Sequence, residues 1–208
     1  MSKYHVPLMP NAIYHLFSRA IGNEKLFFSN ENYYYFLQLL AKYILPVVDI
    51  LAYSLLPNHF HLLIKIKDQE QIQAYYSQLK QVKEPLTEKQ VSKFIMQQFS
   101  NWLNAYAKAF NKKYNRKGAL FIDYIKRSEA KTDNDITAFI LYVHKNAVHY
   151  GYAGKIGDWY FDSYQAIIGN KPTLLNRAFC IDWFGGINPF ILFHQQPIEL
   201  KNISVADL

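Results

Sequence analysis

Two apolar, β-prone runs, Val47 to Leu55 and His59 to Ile66, are separated by little more than Pro57-Asn58. A connection this short allows only an antiparallel pair, because parallel strands need a crossover of a dozen residues or more. The hairpin has to sit in a sheet with other strands, since a lone pair is marginal in water. The flanking sequence supplies them. Ala12 to Ala20 reads as a strand closed by the Gly22-Asn23 turn, and Ala119 to Ala130 as a fourth strand.

Helical patterns fill the intervals. Asn30 can cap a helix reaching Pro46, with Tyr34, Leu37, Tyr43 and Ile44 available for its buried face. Asp68 to Gln81 is polar and helical. From Thr87 to Lys113, Val91, Phe94, Ile95, Phe99, Trp102, Leu103, Tyr106 and Phe110 recur every three or four positions. Thr132 or Asp133 caps a helix that runs through Tyr150 and stops at Gly151. The order is β-α-β-β-α-β followed by a further helix. This predicts an α+β, ferredoxin-like antiparallel sheet with helices on one face. Residues 1–170 make one domain on this reading, and residues 171–208 a helical C-terminal extension with short helices over Asn176 to Phe184 and Asn188 to His194.

Composition narrows the chemistry. The net charge of +7 favours polyanionic partners. The single cysteine, Cys180, excludes an internal disulfide and a Cys-based zinc site, and reads as a small buried residue. His5, Asn11, His15 and Arg19 interrupt any signal-peptide core, and Pro46 and Asp49 interrupt the most apolar stretch. The expectation is a cytoplasmic protein with no membrane span.

Three groups of residues could carry a reaction. His59 and His61 flank Phe60 on one strand, so their rings leave the same face from Cα atoms about 7 Å apart, close enough to converge on one ion. Tyr142 and Asn146 lie four apart, about 6 Å along a helix axis and on one face, with His149 one turn on. That face reads as separate from the apolar stripe of Ile136, Phe139, Ile140 and Val143. A basic turn carries Lys112, Lys113, Arg116 and Lys117, and Lys126 and Arg127 follow in the fourth strand; these six suit phosphates, and neighbouring aromatics suit unpaired bases. Taken singly, each group also has an ordinary structural explanation. With 17 Tyr and 15 Phe in the chain, no tyrosine stands out for its type alone.

Together and in this order, the segments resemble a known family. Leu56-Pro57-Asn58-His59-Phe60-His61-Leu62-Leu63-Ile64 is similar to the His-hydrophobic-His segment of IS200-like single-tyrosine HUH transposases. Tyr142-Val143-His144-Lys145-Asn146-Ala147-Val148-His149-Tyr150-Gly151 resembles the Tyr-x-x-x-Asn helix of their REP-associated branch. Asn115 to Phe121 and the aromatic run Asp158 to Tyr164 match in the same order. The chain departs from the family at Ala147, where Pro is usual, and at Ile122, where many relatives have Gln. The resemblance implies Mg²⁺ or Mn²⁺ held by His59, His61 and Asn146, with His149 a second candidate for the last position. It also implies that Tyr142 attacks a scissile phosphate to give a 5′-phosphotyrosine and a free 3′-hydroxyl. It implies a homodimer, single-stranded or hairpin DNA as partner, and no organic cofactor. All three metal ligands would be neutral, so the ion would keep its charge for the phosphate. Asp123 reads as structural or as a residue behind the ligands. The alternative reading is a domesticated DNA hairpin-binding protein with little or no cleavage.

Overall fold

The computed structural model describes residues 6–122 and 125–197. Four strands, β1 (Ile13–Arg19), β2 (Val48–Leu56), β3 (His59–Ile66) and β4 (Lys126–Ala130), form one antiparallel sheet in the order β2-β3-β1-β4. The hairpin expected around Pro57-Asn58 is the β2–β3 pair. Its turn is tied down where Ala20 N–H donates to Asn58 O and Leu26 N–H to Pro57 O.

Two layers cover the sheet. On one face lie α1 (Asn30–Tyr43) and the 26-residue α3 (Glu88–Lys113), with α2 (Gln69–Lys80) packed on α3. Tyr14, Leu16, Phe60, Leu62 and Ile64 point into this layer and meet Phe36, Phe99, Trp102 and Tyr106. The buried polar tips find partners: Trp102 Nε1–H donates to Phe36 O, and the Tyr106 hydroxyl to Leu26 O.

The intervening residues of the same strands point to the other face, as the pleat requires. There Ile13 and Leu63 pack against α4 (Asp133–His149), together with α5 (Tyr164–Ile168), α6 (Arg177–Trp183) and α7 (Ile187–His194). The ferredoxin-like pair of helices thus shares one face, and the helix after the last strand takes the other. Cys180 is buried in this second layer and donates its S–H to Leu51 O. Edge strand β2 is covered: Phe161 O accepts from Leu55 N–H, and Asn176 N–H donates to Ile50 O, so the backbone beside it is not open to another chain. Among the described residues no helix is long and apolar enough to cross a membrane.

Several expectations shift. Ser29, not Asn30, is the N-cap of α1, and the Asn32 side chain accepts from Ser29 N–H and Phe28 N–H. The helix turns Tyr33, Phe36, Leu39 and Leu40 inward; of the expected residues Ile44 is buried, Leu37 and Tyr43 pack against the core, and Tyr34 is exposed. The fourth strand is shorter than Ala119 to Ala130. Arg116 donates to the carbonyls of Gly118 and Ala119, and Gly118 sits at φ +90°, which no L side chain adopts readily, so the chain loops there. Residues 120–122 then bridge the end of β1, with Phe121 opposite Ala20, outside the regular ladder of β4. Asp123 lies outside the described residues. For α4 the expected cap holds: Thr132 Oγ1 accepts from Asp135 N–H while Asp135 accepts from Thr132 N–H, a reciprocal capping box.

Candidate functional site

Strand pairing builds the site. In β1–β3 register His61 lies opposite Phe17 and His59 opposite Arg19; His15 is opposite Leu63, on the same face. Helix α4 crosses above and brings Tyr142 and Asn146 to that face. His59 Nε2 lies 3.1 Å from Asn146 Oδ1. The two imidazoles of His59 and His61 are nearly perpendicular, with centroids 5.2 Å apart. A cavity of about 370 Å³ opens beside them, lined by Arg19, Asn58, His59, His61, Lys126 and Tyr150 among others.

All three histidines are neutral near pH 7. Burial lowers His59 to about 4, with Arg19 pushing in the same direction and the Asn146 contact opposing. Burial alone takes His15 to about 3 and is the largest influence holding His61 well below the usual histidine range. Neutral rings have lone pairs to offer, as metal ligands must.

The hydrogen bonds show where those lone pairs point. His61 Nδ1 lies 2.9 Å from His15 Nε2, and His61 Nε2 is buried without a partner. If His61 donates its Nδ1–H to His15, its Nε2 lone pair is left bare toward His59. His59 Nδ1 lies 2.8 Å from Asn58 Oδ1 while its Nε2 faces Asn146 Oδ1. One neutral ring has one N–H and cannot donate to both oxygens. One of the two amides, Asn58 or Asn146, turns over to offer its own N–H to the ring, or a cation sits between His59 Nε2 and Asn146 Oδ1. The unpartnered Nε2 of His61, with His59 Nε2 and Asn146 Oδ1 beside each other, fits a divalent ion. The set is two histidines and an amide; among the described residues no three His, Cys, Asp or Glu side chains group into a metal site.

Tyr142 sits differently from expectation. It belongs to the apolar stripe with Phe139, Ile140 and Val143, not to a separate face. It is 5% exposed, and its ring packs edge-on to His61 at 5.3 Å and His15 at 5.4 Å. Its hydroxyl has no hydrogen bond of normal geometry, and burial raises its pKa far above the usual phenol value, with Asn146 beside it acting weakly the other way. The tyrosine that lines the cavity is Tyr150, 43% exposed and edge-on to the His59 ring at 4.6 Å. His149 is exposed, packs on Tyr150 and does not line the cavity.

The six basic residues separate. Lys112 and Lys117 are exposed and outside any salt bridge seen among the described residues. Lys113 pairs with Glu31, and Arg116 with Glu24. Lys126 lines the cavity, whereas Arg127, its neighbour on a strand, points to the opposite face, is 6% exposed and donates to Val6 O. The expectation of a DNA contact from Arg127 gives way to a structural role.

Sequence reasoning missed His15, Arg19 and Tyr150. The first two could have been found from alternation, since His15, Phe17 and Arg19 share a face of the first strand. Tyr150 ends α4 as its C-cap, and nothing in the periodicity marks it.

No family model matches the chain, and no curated protein matches it. Among solved structures, one described as a REP-associated tyrosine transposase bound to a REP hairpin superposes with a TM-score of 0.54, covering 81% of this chain and 86% of that one. The chain has the fold of a REP-associated tyrosine transposase. At 13% identity the likeness is one of architecture. In this chain the strand carrying His59 and His61 lies inside the sheet and is crossed by the helix that follows the last strand.

Proposed function

We propose that the protein is a metal-dependent endonuclease and strand transferase acting on single-stranded DNA, at sites that include hairpins. The observation that carries this reading is the meeting of His59, His61 and Asn146 from two distant segments, with His59 Nε2 3.1 Å from Asn146 Oδ1, His61 Nε2 buried without a partner, and Tyr142 in contact with His61. A purely structural polar cluster gains nothing from a buried ring nitrogen left without a partner, as His61 Nε2 is.

Mg²⁺ or Mn²⁺ would be held by His59, His61 and Asn146 and would polarise the scissile phosphate. The chain's own groups do the rest. Arg19 and Lys126 flank the cavity with positive charge for the DNA backbone. His15, with Nε2 2.9 Å from His61 Nδ1, holds the direction of the His61 ring. The Tyr142 oxygen forms a bond to phosphorus as the P–O3′ bond breaks. The phenol's proton is released, and the departing 3′ oxygen gains one to become a hydroxyl. The phosphotyrosine retains the energy of the phosphodiester, so a later 3′-hydroxyl can reverse the step without ATP. A homodimer is part of this reading by family resemblance.

One observation favours a second reading, a hairpin-binding protein with little cleavage: Tyr142 is buried and does not line the cavity. A labelled pool of single-stranded hairpin DNAs with Mn²⁺ separates the two. A protein-linked band on a denaturing gel, absent in Tyr142→Phe, supports the enzyme; retained binding with no cleavage on any substrate supports the binder.

A further inference from the structure

Helix α4 is held from both sides. Residue 144 is two positions from both Tyr142 and Asn146, a turn of about 200° at 3.6 residues per turn, so its side chain leaves the helix opposite theirs. There it enters a chain of hydrogen bonds that the reaction does not use. His144 Nδ1 lies 2.9 Å from His194 Nε2 on α7, and His144 Nε2 lies 2.8 Å from Ser163 Oγ. His194 Nδ1 lies 2.8 Å from Phe190 O, and Ser163 Oγ accepts from Tyr53 N–H on β2 at 2.8 Å. His144 and Ser163 are fully buried and His194 nearly so.

The two ends fix every proton between them. A carbonyl only accepts, so His194 carries its hydrogen on Nδ1 and, as a neutral ring, accepts at Nε2. His144 therefore donates from Nδ1 and accepts at Nε2 from the Ser163 hydroxyl, whose oxygen takes the Tyr53 N–H. This is the one neutral arrangement that satisfies all four contacts, and it runs in a single direction from β2 through α4 to α7. A rotation of α4 by one residue step, about 100°, would break it along with the Asn146–His59 contact on the other side.

We propose that His144, Ser163 and His194 are positioning residues that set the rotation of α4, so that the C-terminal helices form part of the frame that aims Tyr142 and Asn146 at His59 and His61. The catalytic half of this inference rests on the proposed reaction; the structural half does not.

The test uses the full chain and two substitutions. His194→Phe keeps the ring volume and removes both nitrogens, whereas His194→Gln restores an acceptor near the Nε2 position. In the wild type, long-range proton–nitrogen NMR should show His144 and His194 both protonated at Nδ1. In His194→Phe the His144 ring should lose that fixed tautomer and the His59 ring signals should move, without DNA present. Hairpin affinity should stay within about twofold while the rate of covalent adduct formation falls on the order of 10²-fold, the scale expected for a misplacement of about 1 Å, and His194→Gln should recover most of the rate. An unmoved His59 spectrum, an unchanged rate, or a loss of rate that only follows a parallel loss of affinity and of thermal stability overturns the proposal. If the wild type forms no adduct, the reaction reading fails, and the tautomer and His59 measurements alone decide whether the chain sets α4. Should His194→Phe fail to fold, Ser163→Ala, which removes one link, is read by the same spectra and rates.

Discussion

Tyr142→Phe should make the protein more stable while abolishing the covalent reaction. The ring of Tyr142 is packed on His15, His61 and the apolar face of α4, and a phenylalanine keeps all of that. Only the hydroxyl is lost. In the resting fold that hydroxyl is buried and unpartnered. Leaving such a group without its hydrogen bond costs about 1–3 kcal/mol. Removing it should therefore stabilise the fold by about 1–2 kcal/mol, a rise of roughly 2–8 °C in Tm for a domain of this size. Urea and thermal unfolding of wild type and variant measure the first effect, and the denaturing gel measures the second. A gain in stability with a total loss of adduct is what a group retained for chemistry predicts. A destabilisation of about 1 kcal/mol would refute the reasoning, because it would mean that the hydroxyl is bonded in solution, with the Asn146 amide as the nearest partner.

Other outcomes follow from the same geometry. Burial carries the Asp162 carboxyl from 3.8 to about 7. Its folded pKa is thus above its unfolded one, so the folded state holds the proton more tightly, and its contribution is intact below about pH 4 and lost as pH rises to about 7. At ~1.4 kcal/mol per pH unit the loss is ~4 kcal/mol. Asp162→Asn should remove it, so the stability difference between variant and wild type, followed by urea unfolding from pH 4 to 8, should grow in the variant's favour; a constant difference contradicts the assignment. His15→Phe should weaken Mn²⁺ binding by about 10–100-fold, as loss of a group orienting a ligand does, measured by calorimetry; unchanged affinity would remove His15 from the site. Lys112→Ala with Lys117→Ala should lower hairpin affinity and reduce the salt slope by up to about 2, at about 0.9 per phosphate contact. The Arg127→Lys change should leave that slope alone and cost stability, since its partner is Val6 O and not DNA.

The architecture was legible because its strongest signals are local. A tight turn at Pro57-Asn58, a capping box at Thr132 and a 26-residue apolar period leave few alternatives for the order of elements. That His59 and His61 share one face of a strand, and Tyr142 and Asn146 one side of a helix, was legible for the same reason, since those periods are local; that the two meet came only from the resemblance. What was lost depends on contacts between distant segments. Arg116 takes up the carbonyls of Gly118 and Ala119, and residues 120–122 bridge the end of β1 apart from the regular β4 ladder; no periodicity reports either. Tyr142 read as lying off the apolar stripe because its neighbours at 139, 140 and 143 are more hydrophobic, yet the sheet face above which it sits carries two histidine rings that accept an aromatic edge. Arg127 looked like a phosphate contact until the pleat turned it away from Lys126. The bonding of His144 to His194, fifty residues away, has no sequence signature at all.

The central claim, that Tyr142 becomes linked to a DNA 5′-phosphate, is tested most directly by finding the modified residue. Trypsin cuts after Lys131 and Lys145, and the peptide from Thr132 to Lys145 contains Tyr142 as its sole tyrosine, while Tyr150 falls in the next peptide, Asn146 to Lys155. After reaction with a hairpin substrate and Mn²⁺ and digestion of the DNA, mass spectrometry should find the nucleotide on the Thr132–Lys145 peptide. A nucleotide on the Asn146–Lys155 peptide, located by fragmentation to Tyr150 and not Tyr152, would transfer the role to the exposed Tyr150 that lines the cavity, and cleavage with no modified peptide would mean that water, not a tyrosine, attacks the phosphate.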